Sequence, residues 1–437
     1  MKKPTPRNLA PAFLSAHRAV AGTLVLAALL QTPPALAQNN KPLHPARQAP
    51  ATAAPAPSAL RDGQAESRLL AVYKLIAEGR GREALRAAES LARDYPNFQL
   101  AQLAVGDLLT ARTRSIQHLG DLGDLPEPDS ARSIQATTTL EELRTESRQR
   151  VDAQRSRPPA HTIPTQFLEL SPRTRHAIAI DASRSRLYLF ENTPKGLQLV
   201  ADYYASVGKL GIEKTVEGDQ RTPLGVYFIT SRLDPATLKD FYGVGALPIN
   251  YPNPLDQSRG KTGSGIWLHG TPPDQFARAP LATDGCLVLA NPDLERILRT
   301  VEPRSTPVVI ARQLQWVAPH SVQSDRKAFE AVLNAWRSAK TEGDMKRLLG
   351  FYSPDFQSHR KKPLAEWAPV LQAETRALKG RELQLKDKSY LRWTDSTDTM
   401  VVTFGEVAEG ARTGPVKRQY WTRRGQTWQI FFEGVIG

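Results

Sequence analysis

At His176 the spacing of apolar residues along this chain changes, and that change restricts it to a composite fold. Upstream, Leu69, Val72, Leu75 and Ile76 form one stripe at helical spacing. Ala84, Leu85, Ala88 and Leu91 form a second, and Leu100, Leu103, Ala104, Leu108 and Leu109 a third. Gly79 and Gly81 separate the first two, and Tyr95-Pro96 ends the second. From His176 the period becomes two: Ala177-Ile178-Ala179-Ile180 and Arg186-Leu187-Tyr188-Leu189-Phe190 read as strands about a polar turn. Residues 198–207, 225–231 and 308–311 continue the strand pattern, with one clear helix over 291–299. Its start reads as Asn291 at the N-cap, Pro292 at the first position and Asp293 in the first turn. After an irregular connector over 313–326, helical spacing returns at Phe329, Val332, Leu333 and Trp336, and again over 344–351. Strands then follow at 399–407, 415–423 and 427–433, the last two joined at Gly425. The expected fold is multidomain: a mostly-β domain over 176–312, a small α-helical segment before it and an α+β domain over 327–437 after it.

The N-terminus reads as a secretory signal over 1–37. Lys2, Lys3, Arg7 and Arg18 precede an apolar run, and Ala35-Leu36-Ala37 supplies a small-x-small cleavage pattern. The run is about a dozen residues, short for a bilayer span. The reading is an exported protein of the periplasm, not integral to the membrane once the signal is removed. Residues 38–66, with Pro42, Pro45, Pro50, Pro55 and Pro57 among alanines, read as a flexible tether. Residues 67–115 are the helical segment, and 116–175, polar and charged, a linker carrying one helix around 140–151. The formal net charge is +14, which becomes +10 without the four signal cations. That excess suits an anionic neighbourhood such as wall-peptide carboxylates, and equally suits simple solubility. Export and the absence of any recognisable binding module speak against nucleic acid.

Cys286 is the one cysteine in 437 residues. In an oxidising compartment a structural cysteine ordinarily has a partner, and this one has none within its chain. A buried small hydrophobe or half of an intermolecular disulfide are the bland alternatives. Gly285 beside it argues against plain burial, because glycine lets backbone approach a ligand. A thiol attacks carbonyls as thiolate and needs a base, which histidine supplies near neutral pH. Of the eight histidines only His269 falls inside the β-rich domain, with His176 at its entrance. His269 follows the strand-like Ile266-Trp267-Leu268, so it is expected at a strand end. Backbone amides at Asp284, Gly285 and Cys286 are candidate oxyanion donors. One cysteine and one histidine do not make a metal site, no glycine-rich phosphate loop is present, and no cofactor is expected.

Ile266-Trp267-Leu268-His269-Gly270-Thr271, followed after a gap by Thr283-Asp284-Gly285-Cys286-Leu287, resembles the signature of the YkuD-type L,D-transpeptidases. Gly218-Asp219-Gln220-Arg221-Thr222-Pro223-Leu224-Gly225-Val226-Tyr227 resembles that family's strand entry, and Asn250-Tyr251-Pro252 its cleft wall. The resemblance implies that Cys286 is the nucleophile, His269 the base, and Gly270 the residue whose carbonyl orients the imidazole. Thr283, Tyr251 and Thr271 would line the substrate cleft. Asp284 stands where the family usually has histidine, and Val288 where arginine or asparagine is common. The implied substrate is a peptidoglycan stem peptide, cleaved through a Cys286 thioester. An amine would resolve it, giving a crosslink or lipoprotein anchoring (or its reversal), or water would, giving L,D-carboxypeptidase action. An outer-membrane lipoprotein or a wall-synthesis protein is a further candidate partner. A non-catalytic wall-binding scaffold is the competing class.

The flanks carry two more resemblances. The stripes over 67–115 with Asp94-Tyr95-Pro96 resemble tetratricopeptide helices, too few for a solenoid and so expected to dock on a neighbour. The Trp336 helix, Gly343-Asp344 and Phe351-Tyr352-Ser353-Pro354-Asp355-Phe356 resemble the NTF2-like fold. Its aromatics Trp393, Tyr420, Trp421, Trp428, Phe431 and Phe432 are expected in the core.

Overall fold

The computed structural model describes residues 62–121 and 131–436. The signal and nearly all of the tether fall outside these residues. The helical segment comprises α1 (Gln64–Ala77), α2 (Gly81–Asp94) and α3 (Gln99–Thr110). Leu69, Val72, Ala84, Ala88, Leu91, Leu100 and Ala104 are buried among them. Ile76 and Leu109, expected on the inner stripes, are 43% and 45% exposed, because no further repeat in the described chain stacks over them. The long α4 (Ala131–Arg155) packs across α1 and α3. Its Arg150 and the strand residue Arg186 converge on Glu66 of α1, at 2.9 Å and 2.8–2.9 Å. Burial pushes the Glu66 carboxyl up, but the two guanidiniums outweigh it and hold the group below its usual range.

The stretch expected to be a linker contains β1 (Ile163–Pro164) and β2 (Phe167–Glu169). The middle domain then runs through β3 (His176–Asp181), β4 (Arg186–Thr193), β5 (Gly196–Tyr204), β6 (Val207–Gly208), β7 (Gly225–Phe228) and β8 (Ala246–Pro248). A short capped helix, α5 (Pro254–Ser258), leads to β9 (Trp267–His269), β10 (Leu281–Thr283) and β11 (Leu287–Val288). After α6 (Asn291–Thr300) come β12 (Pro307–Ala311) and β13 (Trp316–Val317), which pairs with β1. The main sheet has the order β5-β4-β3-β12-β7, with β12 parallel to β3 and the other pairs antiparallel. Ile178, Ile180, Leu187, Val308 and Ile310 face a core shared with α6 and with the smaller sheet β11-β9-β8.

The last domain begins with α7 (Gln323–Glu342) and α8 (Met345–Gly350), capped by Asp344. The expectation missed α9 (Leu364–Leu378) and β15 (Leu383–Thr394), and Tyr352–Ser358 is a strand, β14. With β16 (Asp398–Ala408), β17 (Val416–Arg424) and β18 (Thr427–Val435) they form a sheet of order β14-β18-β17-β16-β15-β2. Its outermost strand is therefore β2, from the far side of the middle domain, with Leu391 opposite Phe167. One face of this sheet buries Tyr390, Val402, Phe404 and Trp421 against Phe329, Leu333 and Trp336 of α7 and Trp367 of α9. The other face sets Leu391, Trp393, Val401, Tyr420 and Phe431 on Ala177, Ala179, Tyr188, Phe190 and Phe228 of the middle domain. Trp428 and Phe432, expected in the core, are half-buried.

Within this domain Lys417 Nζ meets Glu374, Glu406 and Glu433 at 2.7, 2.9 and 3.3 Å. Lys340 shares Glu374 and Glu406 at 2.6 and 2.5 Å. Burial works against the Lys417 charge, yet the three carboxylates keep its ammonium well above the usual lysine range. Among the described residues, no helix is long and apolar enough to cross a membrane.

Candidate active site

β9 and β11 run parallel, with Leu268 opposite Leu287 and His269 opposite Val288. Side chains alternate across a strand. Leu268 and Leu287 point into the core, so His269 and the residue just before Leu287, Cys286, share the opposite face. Strand register thus puts the two residues the sequence singles out on one face of the sheet. The turn carrying Cys286 is fixed by two threonines. Thr283 Oγ1 donates to Cys286 O at 2.7 Å and accepts from Gly285 N at 3.0 Å. Thr222, from the Thr-Pro entry of β7, donates to Gly285 O at 2.9 Å. Gly285 has φ +116°, and a Cβ there would lie 2.6 Å from Arg221 O, so glycine alone fits.

His269 is 1% exposed, and its Nδ1 lies 2.8 Å from the carbonyl of Gly270. A carbonyl only accepts, so Nδ1 carries the proton and Nε2 keeps its lone pair. Burial, against the opposing pull of that carbonyl and helped by the Arg278 charge, takes the imidazole down to about 4. It is neutral through the physiological range. The rings of Phe241 and Tyr242 stand 5.8 and 5.0 Å from it, centroid to centroid.

Cys286 is half-buried, and Sγ donates to Gly265 O at 3.4 Å. Burial raises the thiol above its ordinary value; the Trp267 amide opposes this, Asp284 adds to it, and Arg278 and Lys214 counter it. Cys286 thus rests as a thiol and His269 as a neutral imidazole, and among the described residues the sulfur's hydrogen bond goes to Gly265 O, not to the imidazole. The Asp284 carboxylate is exposed and rests 3.1 Å from Lys209 Nζ, which screens its field at the sulfur. With the Gly285 amide taken by Thr283, the Asp284 and Cys286 amides are the ones in the turn without a partner among the described residues.

The three residues expected to line the cleft are structural instead. Thr283 is committed to the turn. Tyr251 is 5% exposed, packs in the domain core and donates its hydroxyl to Thr262 O at 3.1 Å. Thr271 is fully buried, its Oγ1 directed at Phe276 O. Asn291 is also not an N-cap. Ala290 holds that position, and Asn291 Oδ1 instead accepts from Val244 N and Thr271 N while Nδ2 donates to Thr271 O. It ties the backbone after His269 to the loop before β8. A Cβ on Gly270 would meet Asn291 Oδ1 at 2.0 Å, so glycine there allows the clamp. The sequence reading also missed Arg278, which stacks on Phe241 at 4.3 Å and has no carboxylate partner among the described residues.

The segment between His269 and Cys286 is held from outside the domain. Phe276 packs on Phe98 and Tyr95 with centroids 4.2 and 5.6 Å apart. Its amide donates to Asn97 O at 3.1 Å, and Asn97 Nδ2 donates to Pro273 O at 3.1 Å. The helical segment therefore buttresses the loop that bears Arg278. Phe98→Ala is expected to change the alkylation rate of the Cys286 thiol about tenfold, since small misplacements of a reacting group are costly. Iodoacetamide labelling of the two proteins measures this; an unchanged rate would make the contact merely a tether.

Residues 175–310 match the model of the YkuD L,D-transpeptidase catalytic domain, and residues 328–434 that of the Cds6 C-terminal NTF2-like domain. No match to a curated protein is found. Among solved structures, Bd1075 of Bdellovibrio bacteriovorus is 24% identical with a TM-score of 0.53, over 63% of this chain and 98% of that one. The helical cell shape determining protein Pgp2 of Campylobacter jejuni is 21% identical with a TM-score of 0.49, over 62% and 95% of the respective chains. At such identities the likeness to Bd1075 is one of fold. The chain thus joins a YkuD-type L,D-transpeptidase catalytic domain to a C-terminal NTF2-like domain, behind an N-terminal helical segment.

Proposed function

We propose that this chain is an exported cysteine acyl-transfer enzyme acting on peptidoglycan stem peptides, with Cys286 as nucleophile and His269 as base. The observation that carries the reading is the imidazole pinned through Nδ1 to Gly270, neutral, on the same sheet face as the thiol. As Sγ attacks the carbonyl preceding a terminal D-amino acid, Nε2 takes the thiol proton and a C–S bond forms. The free amides of Asp284 and Cys286 suit the oxyanion. Collapse breaks the C–N bond, and the imidazolium returns its proton to the leaving amine. Arg278, which has no carboxylate partner among the described residues and whose charge acts on the sulfur, suits the carboxylate of that departing residue. An amine then resolves the thioester by transpeptidation, or water resolves it by carboxypeptidase action. The expected site of action is the periplasm.

Intact-mass spectrometry after exposure to a carbapenem tests the nucleophile, and muropeptide analysis with a tetrapeptide substrate reads the acceptor. A missing adduct on folded protein would favour the wall-binding scaffold. The pH profile tests the base. Protonation of His269 removes it, and burial has lowered that event from 6.5 to about 4. Acylation is therefore expected to persist as pH falls through 6.5 and to decline only near 4. An acid limb at the ordinary histidine value would show that the imidazole is solvated and differently placed.

A further inference from the structure

A cavity of about 270 Å³ lies between the outer face of the C-terminal sheet and the middle domain. It shares no residue with the site around Cys286. Its walls carry five cations, Arg173, Arg304, Lys386, Arg412 and Arg418, against one carboxylate, Asp387, which Arg173 already holds at 2.7 Å. Four of the cations are at the surface. Arg418 is not: it is 7% exposed, and it has no carboxylate partner among the described residues. Its Nε donates to Thr403 Oγ1 at 3.0 Å, its Nη2 to Arg304 O at 3.4 Å, and its Cζ stands 3.2 Å over the Phe228 ring. Nη1 has no hydrogen-bond partner among the described residues. Desolvation alone, little relieved by Tyr420, brings this guanidinium down to about 10. A buried charge is ordinarily paired, because leaving it unpaired is costly. Here the missing counter-charge has a place to sit, since Phe228, Leu391 and Val416 supply apolar wall beside it.

We infer that this interdomain cavity binds a small carboxylate-bearing ligand, its carboxylate on the Arg418 fork and its apolar body against Phe228, Leu391 and Val416. A planar carboxylate matches the guanidinium fork better than a bare ion does, and the rim cations steer anions toward the opening. The ligand is either the free end of a peptide or a free organic acid, since both present the same group.

Crystals of the full chain soaked in 4-bromobenzoate locate the ligand by the anomalous signal of bromine, and calorimetry on the same protein gives its affinity. Bromine is expected inside the cavity, and Arg418→Met is expected to weaken binding at least tenfold. Gly405→Leu serves as the second variant. A Cβ there meets nothing nearer than Lys386 O at 3.7 Å, so the backbone accepts a side chain at this point of the cavity wall; by occupying the cavity it too is expected to abolish binding. Titrations with N-acetyl-D-alanyl-D-alanine and inorganic phosphate complete the set. Tighter peptide binding at this site assigns the ligand to peptide ends, and tighter bromobenzoate binding assigns it to free acids. Phosphate binding as tightly as either would overturn the inference, as would a cavity empty of bromine or affinity indifferent to both variants. In those cases Arg418 serves only to hold the two domains together over Phe228.

Discussion

Cys286→Ala is expected to give no carbapenem adduct and to lower muropeptide turnover by about 10⁴-fold or more, the scale on which nucleophile removal acts in comparable sites. The fold should survive. The turn is held by Thr222 and Thr283 through the backbone of residues 285 and 286, whereas the sulfur contributes only weak contacts, to Gly265 O at 3.4 Å and to the Trp267 amide. Unfolding stability should therefore change by less than about 1 kcal/mol. Turnover retained by the alanine variant would place the nucleophile elsewhere.

Lys417→Met should have the largest effect on stability. It leaves Glu433 buried with no cation, and leaves Glu374 and Glu406 to Lys340 alone. Removing one partner of a buried ion pair typically costs about 3–5 kcal/mol. Denaturant unfolding followed by tryptophan fluorescence is expected to show that loss in the transition of the C-terminal domain, where Trp336 and Trp421 are buried. Adding Glu433→Gln to Lys417→Met should recover part of it, because the uncompensated charge goes. A double variant less stable than the single one would mean that Glu433 is held by Tyr352 and Gln419 more than by the lysine.

The candidate residues Cys286 and His269 stand out in the sequence because a unique cysteine beside glycine and a histidine after a short apolar run are local signals. That both lie on one face follows from the parallel register of β9 and β11, which no local signal carries. The tertiary roles were not legible. Asn291-Pro292-Asp293 has the composition of a helix start, and nothing local shows that the asparagine reaches across to Thr271. Thr271 and Tyr251 lie in motifs that suggest a cleft, but their polar atoms turn inward. Helix α9 escaped notice because Pro369 sits within it, and proline counts against a helix in any sequence reading. The run Ala177-Ile178-Ala179-Ile180 is apolar at every position, a mark of burial on both faces, and the second face belongs to the C-terminal domain. Strand β2 spans three residues, too few to show a period.

That short strand has a bearing on how such a chain could be taken apart. By composition the natural cut is at residue 175, ahead of the β-rich stretch, and a second at 327 separates off the C-terminal domain. Either excision forfeits Phe167–Glu169, and with it the partner of Tyr390 and Leu391. The orphaned rim of β15 would then offer unsatisfied amides and carbonyls to any passing strand, an invitation to self-association. The unit that can be moved or exchanged intact therefore starts ahead of β1, and the two domains travel as one piece.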